Sequence, residues 1–168
     1  MLTNSMPATS PGAQAQGAAD LLIQTPSGAK VHALIVDDND GARKMLAAMC
    51  ELFDCSSFLA KDGVEAVEAF CSMSFDVILM DIDMPRMDGL AAARAIRAGS
   101  WRGRRVPIIA VTASADPSEI RTYLDAGMND LMSKPIEASR VLETISAAVG
   151  TSPRRRHPWI APSHDART

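Results

Sequence analysis

Five short apolar runs alternate with five segments of helical periodicity through the middle of this chain. The apolar runs are 31–36, 56–60, 77–80, 107–111 and 131–132. The helical segments are 40–53, 64–70, 90–98, 117–126 and 138–149, with Asp40 expected to cap the first. A strand that is followed by a helix five times in succession predicts an α/β fold, a doubly wound parallel sheet with helices on both faces.

The two ends of the chain differ in composition from this alternating centre. Residues 1–29 are rich in Ala, Ser, Gly, Gln, Thr and Pro, which predicts a mostly disordered leader. Residues 151–168 show no apolar periodicity, and four arginines against one aspartate give them a charge of +3. The whole chain carries −3, so residues 1–150 carry −6. We therefore expect one folded domain, 30–150, between a leader and a disordered basic tail.

Composition limits the class of protein. A hydrophobic content of 47% with 4% aromatic residues is typical of a globular domain with an aliphatic core. No apolar run approaches the roughly 18 residues that span a bilayer, and the N-terminus lacks the pattern of a signal peptide. We therefore expect a cytoplasmic protein without a membrane span. Cys50, Cys55 and Cys71 form no C-x-x-C pair, so we expect buried, reduced thiols.

Polar and charged residues follow four of the apolar runs. Asp37 and Asp38 follow the first, Asp81 the third, Thr112 the fourth and Lys134 the fifth. Because parallel strands end at one edge of the sheet, these residues should share one crevice. Carboxylates without His or Cys favour Mg²⁺, and an added ammonium and hydroxyl suit a phosphoryl group. The alternative is that the acids cap helices and that Lys-Pro marks a turn.

Four motifs carry a resemblance to a known family. They are VDDN at 36–39, LMDIDMPRMDG at 79–89, VTA at 111–113 and SKP at 133–135. With them, residues 30–150 resemble the receiver domain of two-component response regulators, the CheY-like proteins. The resemblance implies a flavodoxin-like sheet of strand order 2-1-3-4-5. It also implies a phosphoryl donor, a phosphohistidine on a histidine kinase or phosphotransfer protein, and a chain that is not itself classed as an enzyme.

The same resemblance assigns roles to individual residues. Asp81 would be the phosphoacceptor, and Thr112 and Lys134 would bind the phosphoryl group. Asp37, Asp38 and Asp81, with the backbone carbonyl of Asp83, would hold Mg²⁺. The Lys134–Pro135 peptide bond would be cis.

One position departs from the family pattern. Receivers usually carry Tyr or Phe three residues before the lysine, and that ring swings inward when the threonine moves. Here the position is Leu131, which has neither a ring nor a hydroxyl. We therefore expect phosphorylation to be read out more weakly or differently.

Arginines and tryptophans form a second group of candidate binding residues. The tail contains Arg154, Arg155, Arg156, Trp159, Asp165 and Arg167. The loop 99–105 contains Trp101, Arg102, Arg104 and Arg105, and we expect it at the sheet edge opposite Asp81. Guanidinium groups bind phosphates and guanine edges, Trp159 offers a stacking face, and Asp165 could accept from guanine. The alternative is a passive, solvated tail.

The tail resembles the arginine-rich extension of the Cle class of CheY-like regulators. This resemblance implies cyclic di-GMP, a nucleotide second messenger, as ligand and a protein target such as the flagellar motor switch. No output domain follows residue 150, so we expect the output to be binding of a partner or ligand. The competing interpretation is a phosphorelay shuttle with a passive tail. DNA is an unlikely partner, since four arginines give only salt-sensitive attachment.

Overall fold

A computed structural model describes residues 22–114 and 116–150. Its strands are β1 (His32–Val36), β2 (Ser56–Ala60), β3 (Val77–Asp81), β4 (Ile108–Thr112) and β5 (Asp130–Ser133). Its helices are α1 (Asp40–Leu52), α2 (Gly63–Ser72), α3 (Gly89–Gly99), α4 (Pro117–Asp125) and α5 (Ala138–Val149). No helix in the described part of the chain is long and apolar enough to cross a membrane.

The five strands form one parallel sheet of order β2-β1-β3-β4-β5, which confirms the predicted topology. The register brings the strand ends together. Val36 pairs with Met80, Asp81 with Val111, and Thr112 with Ser133. The residues that follow β1, β3, β4 and β5 therefore lie along one edge of the sheet.

Side chains alternate between two apolar layers, one on each face of the sheet. On β3, Ile78 and Met80 face the layer that includes residues of α2, α3 and α4. Val77 and Leu79 face the layer that includes residues of α1 and α5. All residues of β3 and β4 are buried. This explains why these two strands are apolar throughout rather than alternating, as expected for the centre of a parallel sheet.

Four of the five helices begin at a side chain that accepts a backbone hydrogen bond. The capping residues are Asn39, Asp62, Asp88 and Asp116. The expectation that Asp40 caps α1 is wrong by one residue, since Asn39 accepts from the Ala42 amide at 3.0 Å. Asp40 instead forms ion pairs within the first turn, with Lys44 at 2.7 Å and Arg43 at 3.0 Å. These pairs lower the pKa of Asp40, with the hydrogen bond from Lys44 contributing most.

The folded domain begins before residue 30. Ile23 is fully buried in the same apolar layer as Val31, and its amide donates to the carbonyl of Phe53 at 3.0 Å. Gln24 forms an antiparallel bridge with Lys30. The expectation of a disordered leader is therefore wrong for residues 22–29, because one isoleucine attaches this segment to the core. Residues 1–21 and the tail 151–168 lie outside the described residues.

The cysteine prediction holds for two of the three residues. Cys50 and Cys55 are buried and free, and burial is the main cause that raises the pKa of Cys50 to about 12 and that of Cys55 to about 11. Cys71 is also free, but it is exposed. The expectation of a buried thiol is wrong there because Ala69 and Phe70, not Cys71, turn towards the sheet near the end of α2.

A half-buried arginine, Arg97, fixes the connection between α3 and β4. Arg97 donates to the carbonyls of Gly127 and Val106 and to the side-chain oxygen of Asn129, each at 2.8 Å, and also to the carbonyl of Gly103. Burial lowers the pKa of Arg97. At Gly103 a β-carbon would collide with the carbonyl oxygen of Ile96. The loop therefore has a defined conformation although many of its side chains are exposed.

Candidate functional site

Three carboxylates meet at the edge where the strands end. Asp81 closes β3 and is 7% exposed, Asp37 follows β1 and is 1% exposed, and Asp38 is exposed. Each offers one oxygen, and these three oxygens lie within 4.8 Å of one another. Buried carboxylates this close repel each other unless a cation is present.

Local hydrogen bonds hold Asp37 in place. One carboxylate oxygen accepts from the Asn39 amide at 2.8 Å, and the backbone carbonyl accepts from the Arg43 guanidinium at 2.6 Å. The Asn39 side chain caps α1 at the same time. The start of α1 and the acidic cluster are therefore fixed together.

Lys134 neutralises part of the cluster. Its ammonium donates to Asp37 at 2.9 Å and to Asp81 at 3.1 Å. The Lys134–Pro135 peptide bond is cis, as predicted, and the Lys134 amide donates to the Thr112 carbonyl at 2.8 Å. Lys134 follows β5, which lies on the far side of β4 from β3. Its side chain therefore extends past the end of β4 to reach the end of β3.

The protonation equilibria reflect this crowding. Burial is the main cause that raises the pKa of Asp81; the charge of Asp37 raises it further, while the Lys134 hydrogen bond acts in the opposite direction. Burial lowers the pKa of Lys134, but its hydrogen bonds to Asp37 and Asp81 outweigh burial and the net pKa is raised. The site thus keeps its cation charged and carries carboxylate charge that is incompletely compensated.

The donor set fits a hard divalent cation. The cluster offers three carboxylates and no imidazole or thiolate, which is the ligand chemistry of Mg²⁺. Asp83, whose carbonyl is the fourth expected ligand, lies exposed in the loop after β3; its role stays a prediction.

Thr112 completes the group at the neighbouring strand. It ends β4, is 3% exposed, and its hydroxyl oxygen accepts from the Ser114 amide at 3.1 Å. Because β4 lies between β3 and β5, the structure brings together the five residues that sequence reasoning placed in one crevice. They are Asp37, Asp38, Asp81, Thr112 and Lys134.

The loop after Asp81 turns tightly back against the strand. The amide of Gly89 donates to the carbonyl of Ile82 at 2.9 Å, and a β-carbon on Gly89 would collide with the carbonyl oxygen of Asp81. Arg86, in the left-handed region with φ of 67°, forms an ion pair with Asp62, the cap of α2. The glycine of the Asp-Gly pair is therefore a steric requirement of the site, and its aspartate, Asp88, caps α3.

Sequence reasoning missed Tyr123. Its ring is 6% exposed in the apolar layer below α4. Its hydroxyl donates to Glu119 at 3.3 Å, and burial is the main cause that raises the pKa of Tyr123. A usable signal existed, since Ile120 and Tyr123 are spaced three apart on one face of α4 and the phenol is polar. Leu131, the residue at the usual aromatic position, is half-buried against the same layer.

The loop arginines lie in a groove lined partly by residues that lead into β3 and β4. Trp101 is 64% exposed and lies 5.6 Å from the Arg105 guanidinium. Arg102 lies 5.8 Å from the Phe70 ring and donates to the Ser74 hydroxyl at 2.6 Å. The groove has a volume of about 320 Å³. Arg104 is exposed beside it.

The tail residues predicted to join this loop lie outside the described residues. They are Arg154, Arg155, Arg156, Trp159, Asp165 and Arg167. A joint site of loop and tail therefore stays a prediction.

Comparison with known proteins identifies the family. The profile of the response regulator receiver domain matches residues 33–146. The sensor protein GacS of Pseudomonas syringae is 35% identical over 129 residues, 74% of this chain and 14% of that protein. The kinase BarA of Shigella flexneri is 42% identical over 108 residues, 64% of this chain and 12% of that protein. The chain thus spans only a small part of these relatives' length.

Solved structures agree with the sequence comparison. The receiver domain of the sensor histidine kinase PA1611 from Pseudomonas aeruginosa PAO1, which has a magnesium ion coordinated in its active-site cleft, is 37% identical with a TM-score of 0.68. The alignment covers 73% of this chain and 99% of that domain. The chemotaxis response regulator CheY4 of Vibrio cholerae is 27% identical with a TM-score of 0.68, over 71% of this chain and 98% of CheY4.

The chain belongs to the response regulator receiver family of two-component signalling systems.

Proposed function

We propose that this domain accepts a phosphoryl group on Asp81 from a phosphohistidine of a histidine kinase or phosphotransfer protein. The observation that carries the proposal is the contact of one ammonium, that of Lys134, with both buried carboxylates, Asp37 and Asp81. This arrangement places the proposed nucleophile, the Asp81 carboxylate, beside the positive charge of Lys134. An incoming phosphoryl group needs both a nucleophile and a positive charge to balance its own. A kinase of this kind consumes ATP, which supports a cytoplasmic location for the encounter.

The chemistry is one in-line displacement at phosphorus. A carboxylate oxygen of Asp81 forms the new O–P bond while the P–N bond to the donor imidazole breaks, and the imidazole nitrogen keeps the bonding electron pair. Lys134 and the Thr112 hydroxyl donate to the phosphoryl oxygens and so stabilise the transferred charge. The product is an acyl phosphate that persists until water cleaves it. The chain therefore acts as a stoichiometric signal carrier and not as an enzyme with external turnover.

Magnesium fits the remaining part of the site. Asp37, Asp38, Asp81 and the carbonyl of Asp83 would hold the ion, and a bound Mg²⁺ supplies charge neutralisation for the phosphoryl oxygens. Without it, Asp37 and Asp38 would repel the incoming dianion. We expect phosphorylation to require Mg²⁺ for this reason.

Phosphorylation is tested with a small acyl phosphate as donor. Intact-mass measurement after incubation with acetyl phosphate and Mg²⁺ should show one added phosphoryl group on the wild type. Asp81→Asn and samples in EDTA should show none. Asp76→Asn is the matched control, because Asp76 lies at the opposite edge, where it accepts from the His32 amide, and it should be modified like the wild type. Modification of Asp81→Asn to the wild-type extent would disprove the assignment.

We further propose that the arginine-rich tail binds cyclic di-GMP, with the loop groove as an accessory surface. In support, Arg102, Arg104 and Arg105 take part in none of the ion pairs found between residues 22 and 150. The exposed indole of Trp101 beside Arg105 offers stacking and cation contacts to a base and its phosphate. The output would then be a changed affinity for a protein target such as the flagellar motor switch.

Calorimetric titration distinguishes this proposal from a phosphorelay shuttle with a passive tail. The full chain should release or absorb heat on addition of cyclic di-GMP, and a chain ending at residue 150 should bind more weakly. Replacing Arg102, Arg104 and Arg105 by glutamate tests the loop. Unchanged affinity would remove the loop from the site. Absence of binding to the full chain would remove the messenger and favour the shuttle.

A further inference from the structure

The loop between β3 and α3 is attached to the start of α2. Arg86 in this loop forms an ion pair with Asp62, which is 2% exposed and caps α2. One carboxylate oxygen of Asp62 accepts from the guanidinium, and the other accepts from the Glu65 amide at 3.0 Å. The Gly63 amide also donates to the carbonyl of Met87 at 3.1 Å. The turn before α2 and the loop after the phosphoacceptor therefore form one connected unit.

The two segments are in direct backbone contact at Gly63. A β-carbon on this residue would lie 2.6 Å from the carbonyl oxygen of Met87, which is closer than van der Waals contact allows. Glycine is therefore the residue that permits this close approach. The loop is held by steric contact at Met87 and by charge at Arg86.

The backbone of Arg86 is strained. Its φ of 67° lies in the left-handed region, and the Met87 amide donates across it to the carbonyl of Pro85 at 2.8 Å. A hydrogen bond between residues i and i+2 around a residue of positive φ is a γ-turn of the rarer, strained kind. Such conformations persist only where surrounding contacts hold them. The contact that holds Arg86 is its ion pair with the buried carboxylate of Asp62.

This strained turn lies close to a predicted metal ligand. The carbonyl of Asp83, the fourth expected ligand of Mg²⁺, is three residues before Arg86 in the same loop. The neighbours of Asp83 on either side, Ile82 and Met84, are buried in the apolar layer. The direction of the Asp83 carbonyl is therefore set by the core on both sides and, further along the loop, by the ion pair.

We propose that Arg86 is a positioning residue for the magnesium site, because its ion pair with Asp62 holds the loop that presents the Asp83 carbonyl. This inference rests on the proposed magnesium-dependent phosphorylation of Asp81. Mg²⁺ requires nearly ideal octahedral geometry, and contacts that orient a metal ligand contribute about ten- to a hundredfold to metal affinity. Loss of the ion pair should therefore weaken Mg²⁺ binding by about tenfold.

The sign of the change distinguishes positioning from simple electrostatics. Arg86 is a cation in the loop that borders a cation site. On charge alone, its removal should strengthen Mg²⁺ binding. If the guanidinium positions the loop, its removal should weaken Mg²⁺ binding instead.

Calorimetric titration of MgCl₂ into the full chain measures the dissociation constant. Arg86→Asn removes the guanidinium with a residue that tolerates the left-handed region, and it should bind Mg²⁺ about tenfold more weakly than the wild type. Asp62→Asn keeps an oxygen that can cap α2 but removes the charge, so it should show a similar loss. Because both substitutions break the same ion pair, the double variant should lose no more than either single variant.

Two further variants serve as controls. Arg86→Lys keeps a positive charge that can pair with Asp62, and it should bind Mg²⁺ like the wild type. Lys30→Met removes a cation from an exposed ion pair at the far end of the domain, and it should leave Mg²⁺ affinity unchanged.

Two measurements separate positioning from a general loss of structure. Amide exchange across 82–88 in EDTA should be about tenfold faster in Arg86→Asn, because affinity falls in proportion to the fraction of molecules with an ordered loop. The rate of phosphorylation by acetyl phosphate should fall in Arg86→Asn at limiting Mg²⁺ and return to the wild-type rate at saturating Mg²⁺.

The outcomes distinguish this inference from the proposed function. Unchanged or tighter Mg²⁺ binding by Arg86→Asn would overturn the role of Arg86 and leave the phosphoacceptor intact. Wild-type affinity in the double variant, or a phosphorylation rate that stays low at saturating Mg²⁺, would overturn that role too. A wild type that binds no Mg²⁺ would instead overturn the proposed magnesium site, and this inference with it.

Discussion

Replacing the phosphoacceptor by asparagine should make the magnesium-free protein more stable. Asp81→Asn keeps the shape of the side chain and removes its charge. Burial is the main cause that raises the pKa of Asp81, so the folded state disfavours its charged form. We expect the free energy of unfolding in EDTA at neutral pH to rise by about 1–2 kcal/mol, within the range found when an incompletely compensated buried charge is removed.

The sign of this change in the free energy of unfolding follows from the distances between the charges in the site. At an effective dielectric constant of about 20, Asp37 within 4.8 Å of Asp81 repels it by about 3.5 kcal/mol. Asp38 is exposed, and in water it adds about 1 kcal/mol. Lys134 at 3.1 Å attracts Asp81 by about 5 kcal/mol. The charge terms nearly cancel, so the lost hydration of the buried carboxylate decides that neutralisation stabilises.

Urea denaturation in EDTA and in Mg²⁺ measures the effect. A carboxyl with a raised pKa stabilises the fold below its ordinary value of 3.8 and loses that contribution as the pH rises through its folded pKa. The extra stability of Asp81→Asn over the wild type should therefore be greatest at pH 7–8 and vanish near pH 4. At a hundred times its dissociation constant, Mg²⁺ should stabilise the wild type by about 2.7 kcal/mol. It should stabilise the variant less.

A surface variant serves as the control. Asp54→Asn breaks an exposed ion pair with Lys30 at the far end of the domain and should cost at most about 1 kcal/mol, equally with and without Mg²⁺. If Asp81→Asn were less stable than the wild type in EDTA at pH 7, the reasoning about the uncompensated charge would be refuted.

Three further predictions concern the rest of the fold. Arg97→Met should lower the free energy of unfolding by about 2 kcal/mol in urea, because the carbonyls of buried Val106 and half-buried Gly127 lose their donor; a cost below about 1 kcal/mol would contradict its anchoring role. Ile23→Ala should cost about 2–4 kcal/mol, whereas Leu22→Ala, at a half-exposed neighbour, should cost under about 0.5 kcal/mol; equal losses would show that Ile23 is not part of the core. In the native protein a thiol reagent should modify Cys71 within minutes and Cys50 only on unfolding; rapid modification of more than one thiol would contradict the burial.

Much of the sheet could be predicted from sequence because its signals are local. The apolar runs of β3 and β4 are short, unbroken and bounded by polar residues, as buried parallel strands require. The rule that parallel strands end at one edge of the sheet then predicts that Asp81, Thr112 and Lys134 lie in one crevice. The cap at Asn39 was misplaced by one residue, since Asn and Asp are both good caps and stood side by side.

The features that escaped sequence reasoning depend on contacts between distant segments. Ile23 ends a patch of only three apolar residues in an otherwise polar segment, and its partner Phe53 is thirty residues away. Predicting that Cys71 is exposed requires the exact rotational phase of α2, which the apolar residues of that helix do not define. Such contacts have no local pattern from which to predict them.

The missing side chain at Gly89 has a consequence for how the domain can move. Because the start of α3 packs against the backbone carbonyl of Asp81 with no space for a β-carbon, that helix cannot shift towards the end of β3 at this point. Alanine at position 89 would push the first turn of α3 away from the strand that carries the phosphoacceptor. The distance between this helix and β3 is therefore set by a single glycine.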